Sequence, residues 1–199
     1  MGHLILESRF EIFQNFLFLL KSFKLLNEVY DELDEMISNF DVYKVETINE
    51  KYMVSSGIPK ENGNRHAAEI ARLSLAFVRR IRNLREESSK FPKISPKIGI
   101  HSGNAVAGVI GSKMPRFCLF GETINLASRM ETSGMAGRIQ ISGTTKTILE
   151  LTQADAFHIK SRGNVDIKGK GSVETYWLLD RKRNKDEGVW DFYQTFEKT

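Results

Sequence analysis

The strongest constraint in this chain is a change of period. Over residues 13–40 the apolar side chains Phe13, Phe16, Leu17, Leu20, Phe23, Leu26, Val29, Leu33 and Ile37 recur at three and four, which predicts an amphipathic helix. Immediately after it, residues 42–48 and 51–56 are β-rich runs separated by Asn49-Glu50, which predicts a hairpin closed by a two-residue turn and ended by Gly57 and Pro59. A second helical pattern follows the turn-forming Glu61-Asn62-Gly63-Asn64 and runs through Ala67, Ile70, Ala71, Ser74, Phe77, Val78, Ile81 and Leu84. Helices that alternate with hairpins in this way predict an α+β fold, helices packed on a mixed or antiparallel sheet.

The rest of the chain continues the alternation. Residues 97–101 and 105–110 read as a second buried hairpin around Ser102-Gly103-Asn104, followed by a short strand at 117–120. Residues 122–133 read as a helix stopped by Gly134. A strand at 138–142, a short helix at 144–151, and strands near 157–161, 165–168 and 175–179 complete the pattern, and 181–199 is a charged tail with aromatics.

With 199 residues, 41% of them hydrophobic, the chain suits one domain with one core. The 29 Lys plus Arg against 25 Asp plus Glu leave a net charge of only +4, which excludes a histone-like polycation. Arg79, Arg80, Arg82 and Arg85 on one helical face read as solvated charge rather than as an acidic-partner site, and no aromatic RNA-binding signature occurs. Cys118 is the sole cysteine, so a disulfide framework and a Cys-rich zinc site are excluded and a reducing compartment is expected. The apolar stretch at 12–20 contains Gln14 and Asn15 and falls short of the roughly 20 residues that span a bilayer.

Several catalytic motifs fail on spacing. Residues 108–113 are Gly-rich but lack the Walker Gly-Lys-Ser/Thr, and the four histidines lie far apart without metal spacing. Asn125 and Arg129, four apart on one helix, share a face and can reach one anion. Lys168 in Lys168-Gly169-Lys170-Gly171 can place an ammonium near phosphates, although solvated lysines at hairpins are commonplace.

Three segments go further: Val42-Tyr43-Lys44-Val45-Glu46-Thr47-Ile48, Met114-Pro115-Arg116-Phe117-Cys118-Leu119-Phe120-Gly121 and Ile124-Asn125-Leu126-Ala127-Ser128-Arg129-Met130-Glu131. They closely resemble the catalytic domain of class III nucleotidyl cyclases, guanylate cyclases above all. The resemblance is nearly continuous from about residue 25 to 179, and Ile58-Pro59, Asn62-Gly63, His66-Ala67 and Glu69-Ile70-Ala71 are similar to the receptor-type enzymes. It implies a ferredoxin-like cyclase fold over 25–180, preceded by an atypical segment, 1–24, in place of the family's first strand. It also implies conversion of GTP to 3′,5′-cyclic GMP and pyrophosphate with Mg²⁺ or Mn²⁺ as cofactor, in a homodimer or a heterodimer with another cyclase domain, in a cytoplasmic domain that would suit a plasma-membrane receptor.

The resemblance distributes roles across a composite site. Glu46 and Cys118 are expected to bind substrate by reading guanine, because a carboxylate accepts from guanine's donor edge and adenine would leave it unpaired. Asn125, Arg129 and Lys168 are the expected catalytic set, orienting substrate, stabilising the pentavalent phosphorus and holding the terminal phosphates. A purely structural alternative pairs Arg129 with Glu122 or Glu131. Lys97 occupies the place of a phosphate-contacting arginine and loses the bidentate fork.

The metal half departs from the family's pattern. Its Ile-Gly-Asp reads Ile48-Asn49-Glu50, so Glu50 stands in for a metal aspartate with one extra methylene, where magnesium demands tight geometry. Counting back 44 places the first metal aspartate at Leu6, and neither Glu7 nor Glu11 is more than a substitute, each explained equally well by the start of a surface helix. The expected outcomes are a cyclase that acts alone, a specialised half that needs a partner's metal acids, or a domain that has lost catalysis.

Overall fold

A computed structural model describes residues 3–10, 18–48, 50–87, 95–153 and 156–181. In chain order they form β1 (His3–Phe10), α1 (Phe18–Ile37), β2 (Tyr43–Ile48), β3 (Lys51–Ser56), α2 (Arg65–Glu87), β4 (Pro96–Gly103), β5 (Val106–Ile110), β6 (Arg116–Phe120), α3 (Glu122–Thr132), β7 (Ile139–Ser142), α4 (Gly143–Thr152), β8 (Phe157–Ile167) and β9 (Gly171–Arg181). Seven strands make one sheet in the order β2-β3-β1-β4-β7-β9-β8, and β5 and β6 form a separate two-stranded ribbon. Every pairing is antiparallel except β4 with β7. The expected α+β architecture with a mixed sheet is therefore present.

The two faces of the sheet are unequal because side chains on a strand alternate. Ile98 and Ile100 of β4, Ile139 and Ile141 of β7, and Tyr52 and Val54 of β3 join α1, α2 and α4 in one buried cluster. The helical spacing of Ile70, Ser74, Phe77, Val78 and Ile81 puts α2 at its centre. Ser74 is tolerated there because its hydroxyl donates to the Ile70 carbonyl at 2.7 Å. On the opposite face, among the described residues, lies α3 alone, over β1, β4 and β7. Gly99 makes that seat: a Cβ there would stand 2.0 Å from the Glu131 nitrogen and 2.6 Å from the Ala127 carbonyl oxygen.

Four expectations are corrected. β4 and β5 do not pair; β4 enters the main sheet between β1 and β7, and β5 pairs with β6 instead. The strands expected at 157–161 and 165–168 are one strand, β8, which absorbs the break in its pattern by shifting register between Ser161 and Gly163, the latter at φ 95°. Gly134 does not stop α3 through a left-handed turn; Ser133 is the cap, in the right-handed region, and Gly134 is needed because a Cβ would come within 2.9 Å of the Glu131 carbonyl oxygen. Residue 7 stands within a strand, with Glu7 in register with Met53 and Gly99, rather than at the start of a helix. The expected helix over 13–17, Glu11, Asn49 and the tail from 182 onward lie outside the described residues.

Candidate active site

The expected guanine-reading residues sit on two elements that the fold brings into contact. Glu46 is exposed on β2, just past a register shift between Lys44 and Glu46. Cys118 is a free, half-buried thiol on β6. The Tyr43 and Phe117 rings meet edge to face with centroids 5.1 Å apart, joining β2 to β6 beside those two residues.

β6 leads directly into the helix that carries the expected phosphate residues. Gly121 turns the chain at φ 134°, where a side chain would be strained and a Cβ would lie 3.2 Å from the Asn104 carbonyl oxygen. Thr123 then donates its hydroxyl to that same oxygen at 2.5 Å. On α3, Asn125 and Arg129 are both exposed, one turn apart. The structural alternative for Arg129 is not what the ion pairs of the described residues favour: Glu122 pairs with Lys170 at 2.7 Å, and Glu131 with Lys97 at 3.4 Å and Lys51 at 3.8 Å.

Lys168 is exposed in the turn after β8, which is shaped by Gly169 at φ 85° and Gly171 at φ 70°. The Lys170–Glu122 pair ties this turn to the first residue of α3, so Lys168 stands at the N-terminal end of that helix. Below it, His101 is buried and shares a hydrogen bond with the Ser142 hydroxyl at 2.8 Å. Burial, reinforced by the Lys170 charge, lowers its pKa to about 4, so the imidazole is neutral near pH 7.

Lys97 and Glu50 belong to the other end of α3. Lys97 is 8% exposed and turned onto the wholly buried carboxylate of Glu131. Glu50, half-buried at the β2–β3 turn, lies near Tyr30, whose phenol is pushed up to about 12 by burial first and by the Glu50 charge second. α3 has eleven residues, so at a 1.5 Å rise the two ends of the site are roughly 16 Å apart. Lys168 thus stands at the N-terminal end of α3 and Glu50 by the hairpin near its C-terminal end, with Asn125 in the first half of the helix and Arg129 in its last turn.

The donor set at that second end does not fit a two-ion site. Among the described residues no three His, Cys, Asp or Glu come together. The pairing register puts Arg9 opposite Lys51 and Phe10 beyond it, whereas Leu6 pairs with Val54, well along the strand. The position reached by counting is thus not the one nearest Glu50. Lys51 escaped the sequence reading, and so did the pairing of Lys97 with Glu131, because only strand order sets β3 and β4 on either side of β1.

Residues 10–180 match the family model described as the adenylate and guanylate cyclase catalytic domain. The chain is 49% identical over 159 residues to human atrial natriuretic peptide receptor 2, covering 80% of this chain and 15% of that protein. It is 48% identical over 158 residues to mouse retinal guanylyl cyclase 2, covering 79% and 14%. The chain thus spans about one seventh of the length of those relatives. Among solved structures, the guanylate cyclase domain of RhGC from Catenaria anguillulae in complex with GTP superimposes with a TM-score of 0.78 at 30% identity, covering 91% of this chain and 97% of that one. The guanylyl cyclase Cya2, at 22% identity and a TM-score of 0.80, shares the fold over 96% of this chain and 98% of its own.

Proposed function

The chain belongs to the adenylate and guanylate cyclase catalytic-domain family, and from that premise we propose that it serves as the guanine- and phosphate-recognition half of a guanylate cyclase pair. The substrate is GTP and the products are cyclic GMP and pyrophosphate. The observation that carries this reading is the roughly 16 Å of α3 between Lys168 and Glu50, too far for one chain to build both halves of a triphosphate site. A second chain packed head to tail would bring its own acids to Asn125, Arg129 and Lys168.

The exposed ribbon supports pairing. Val106, Val109, Ile110 and Phe120 of β5 and β6 are 69%, 67%, 54% and 46% exposed, an apolar surface that water disfavours and a second domain would cover. In the pair, Glu46 accepts from guanine's N1 and N2 hydrogens and Cys118 meets the O6 edge. Asn125 orients the ribose and triphosphate for in-line attack by the 3′ oxygen on the α-phosphorus. Arg129 stabilises the charge that develops on the equatorial oxygens, and Lys168 holds the departing pyrophosphate. Mg²⁺ or Mn²⁺ would supply the Lewis-acid chemistry, held by the partner's acids, since this chain's hairpin end offers one glutamate beside a lysine. The resemblance to receptor cyclases favours a cytoplasmic placement as part of a longer membrane receptor.

The test is cyclic GMP formation from GTP with manganese, for the chain alone and mixed with a guanylate cyclase domain whose own Asn/Arg pair has been disabled. Product from the mixture only is the expected result. Product from the chain alone would mean that it holds its own metals, and no product from a mixture that pairs would mean that catalysis has been lost.

A further inference from the structure

We propose that Lys51, Lys97 and Glu131 form an internal clasp that sets the seat of α3 and thereby positions Asn125 and Arg129; this rests on reading α3 as the helix that contacts substrate. Lys97 then acts through Glu131 and not on phosphate.

The need for a clasp follows from how thinly α3 is held. Among the described residues it lies alone on its face of the sheet, outside the cluster that joins the other three helices, with Ala127 and Met130 as its buried apolar contacts. At Gly99 its backbone touches the backbone of β4, a smooth seat, and the helix is held at its ends by Thr123 on the Asn104 carbonyl and by Ser133, which accepts from Gln140 and Arg162. Rolling matters here. With side chains a helix is about 10–12 Å across, so a 20° roll moves an outward tip by roughly 2 Å. Misplacing a catalytic group by about 1 Å can cost on the order of 10²-fold.

Glu131 supplies a stop within the helix itself. Its carboxylate is wholly buried, 3.4 Å from the Lys97 ammonium on β4 and 3.8 Å from the Lys51 ammonium on β3. These two strands are separated by β1, where Arg9 stands in register with both lysines. The carboxylate is thus gripped from both sides of one strand, and neither a roll nor a slide of α3 preserves both distances. A buried carboxylate deprived of its cations is strongly penalised, so the grip has a steep well. Glu131 lies two residues beyond Arg129 and six beyond Asn125, so fixing it fixes the azimuth of both. Glu131 is a positioning residue, and Lys51 is its link to the hairpin that carries Glu50.

The clasp is tested on the full chain by hydrogen exchange of the amides at 122–132 and by the mixed-pair assay. Lys51→Ala, at a position a third exposed, keeps the fold, and Glu131→Gln keeps the shape of the buried side chain. Each should speed exchange of the α3 amides about tenfold, and the double variant should go no further than Glu131→Gln alone. In the mixture each should lower kcat about tenfold with KM for GTP within twofold. Additive effects on exchange, or none, would overturn the clasp. So would Lys97→Met raising KM tenfold while Glu131→Gln leaves kcat intact, the signature of Lys97 on phosphate. If the unaltered pair makes no cyclic GMP, the proposed function fails and the exchange data still decide the clasp.

Discussion

The two ends of α3 are secured by opposite means. At the N-terminal end, Lys170 meets Glu122 with side chains 40% and 65% exposed, a surface pair of the kind that contributes at most about 1 kcal/mol. At the C-terminal end, Lys97 and Lys51 close on a carboxylate from which water is excluded. The first arrangement ties the Lys168 turn to α3 only through a solvent-screened pair. The second gives a rigid, cation-rich end, which suits holding a helix and ill suits holding divalent ions. The difference teaches that two of the departures in this sequence, Lys97 and Glu50, fall near the same end of one helix.

The sharpest way to break this comparison is to remove the charge that the last turn of α3 presents on its exposed face. Arg129→Ala should lower cyclic GMP formation by the mixed pair on the order of 10³-fold, about 4 kcal/mol of transition-state stabilisation, with thermal unfolding of the chain unchanged. An equal loss from Lys97→Met would contradict the division of labour proposed here. Next in size is base choice. Glu46→Lys with Cys118→Asp should move the GTP-to-ATP preference by about 10²-fold toward ATP, measured as the ratio of kcat/KM in the mixture. An unchanged ratio would remove β2 and β6 from the site.

A third prediction concerns His101, beneath the N-terminal end of α3. Its folded pKa, about 4, lies below the unfolded value, so the unfolded chain binds the extra proton between about pH 6.5 and 4. Stability is therefore full above about pH 6.5 and falls as pH drops through that window, by roughly 2–3 kcal/mol in all. His101→Gln should flatten this part of the denaturant midpoint against pH; an unaltered slope would show that another group is responsible. The smallest effect is expected at the rigid end. Asn49→Gly with Glu50→Asp should change the activity of the chain alone by less than about twofold, because neither change supplies the first metal aspartate. A large recovery in manganese-dependent activity would mean that the hairpin needed only its aspartate.

Much of the fold was legible before any coordinates. The three-and-four spacing in α1 and α2 and the β2–β3 hairpin follow from local periodicity, which depends on the chain alone. The partner of β5 was not legible, for a physical reason: an apolar run that stays on the surface reads the same as one meant for the core. Val106 and Val109 look buried in sequence and are two-thirds exposed. The same holds in reverse for Lys97, a residue type that belongs to the surface and is buried against Glu131.

What the sequence by itself determined is most of the elements and the motifs that mark the cyclase family, because helical period, turn chemistry and local motifs are written within a few residues of one another. Which residues share an end of the molecule was decided only by the tertiary structure. Strand order set β1 between β3 and β4, register brought Arg9 rather than Leu6 toward the hairpin, and the missing Cβ of Gly99 let Glu131 reach two lysines 46 positions apart in the chain. Such contacts arise from packing one face of a sheet, and no local pattern encodes them.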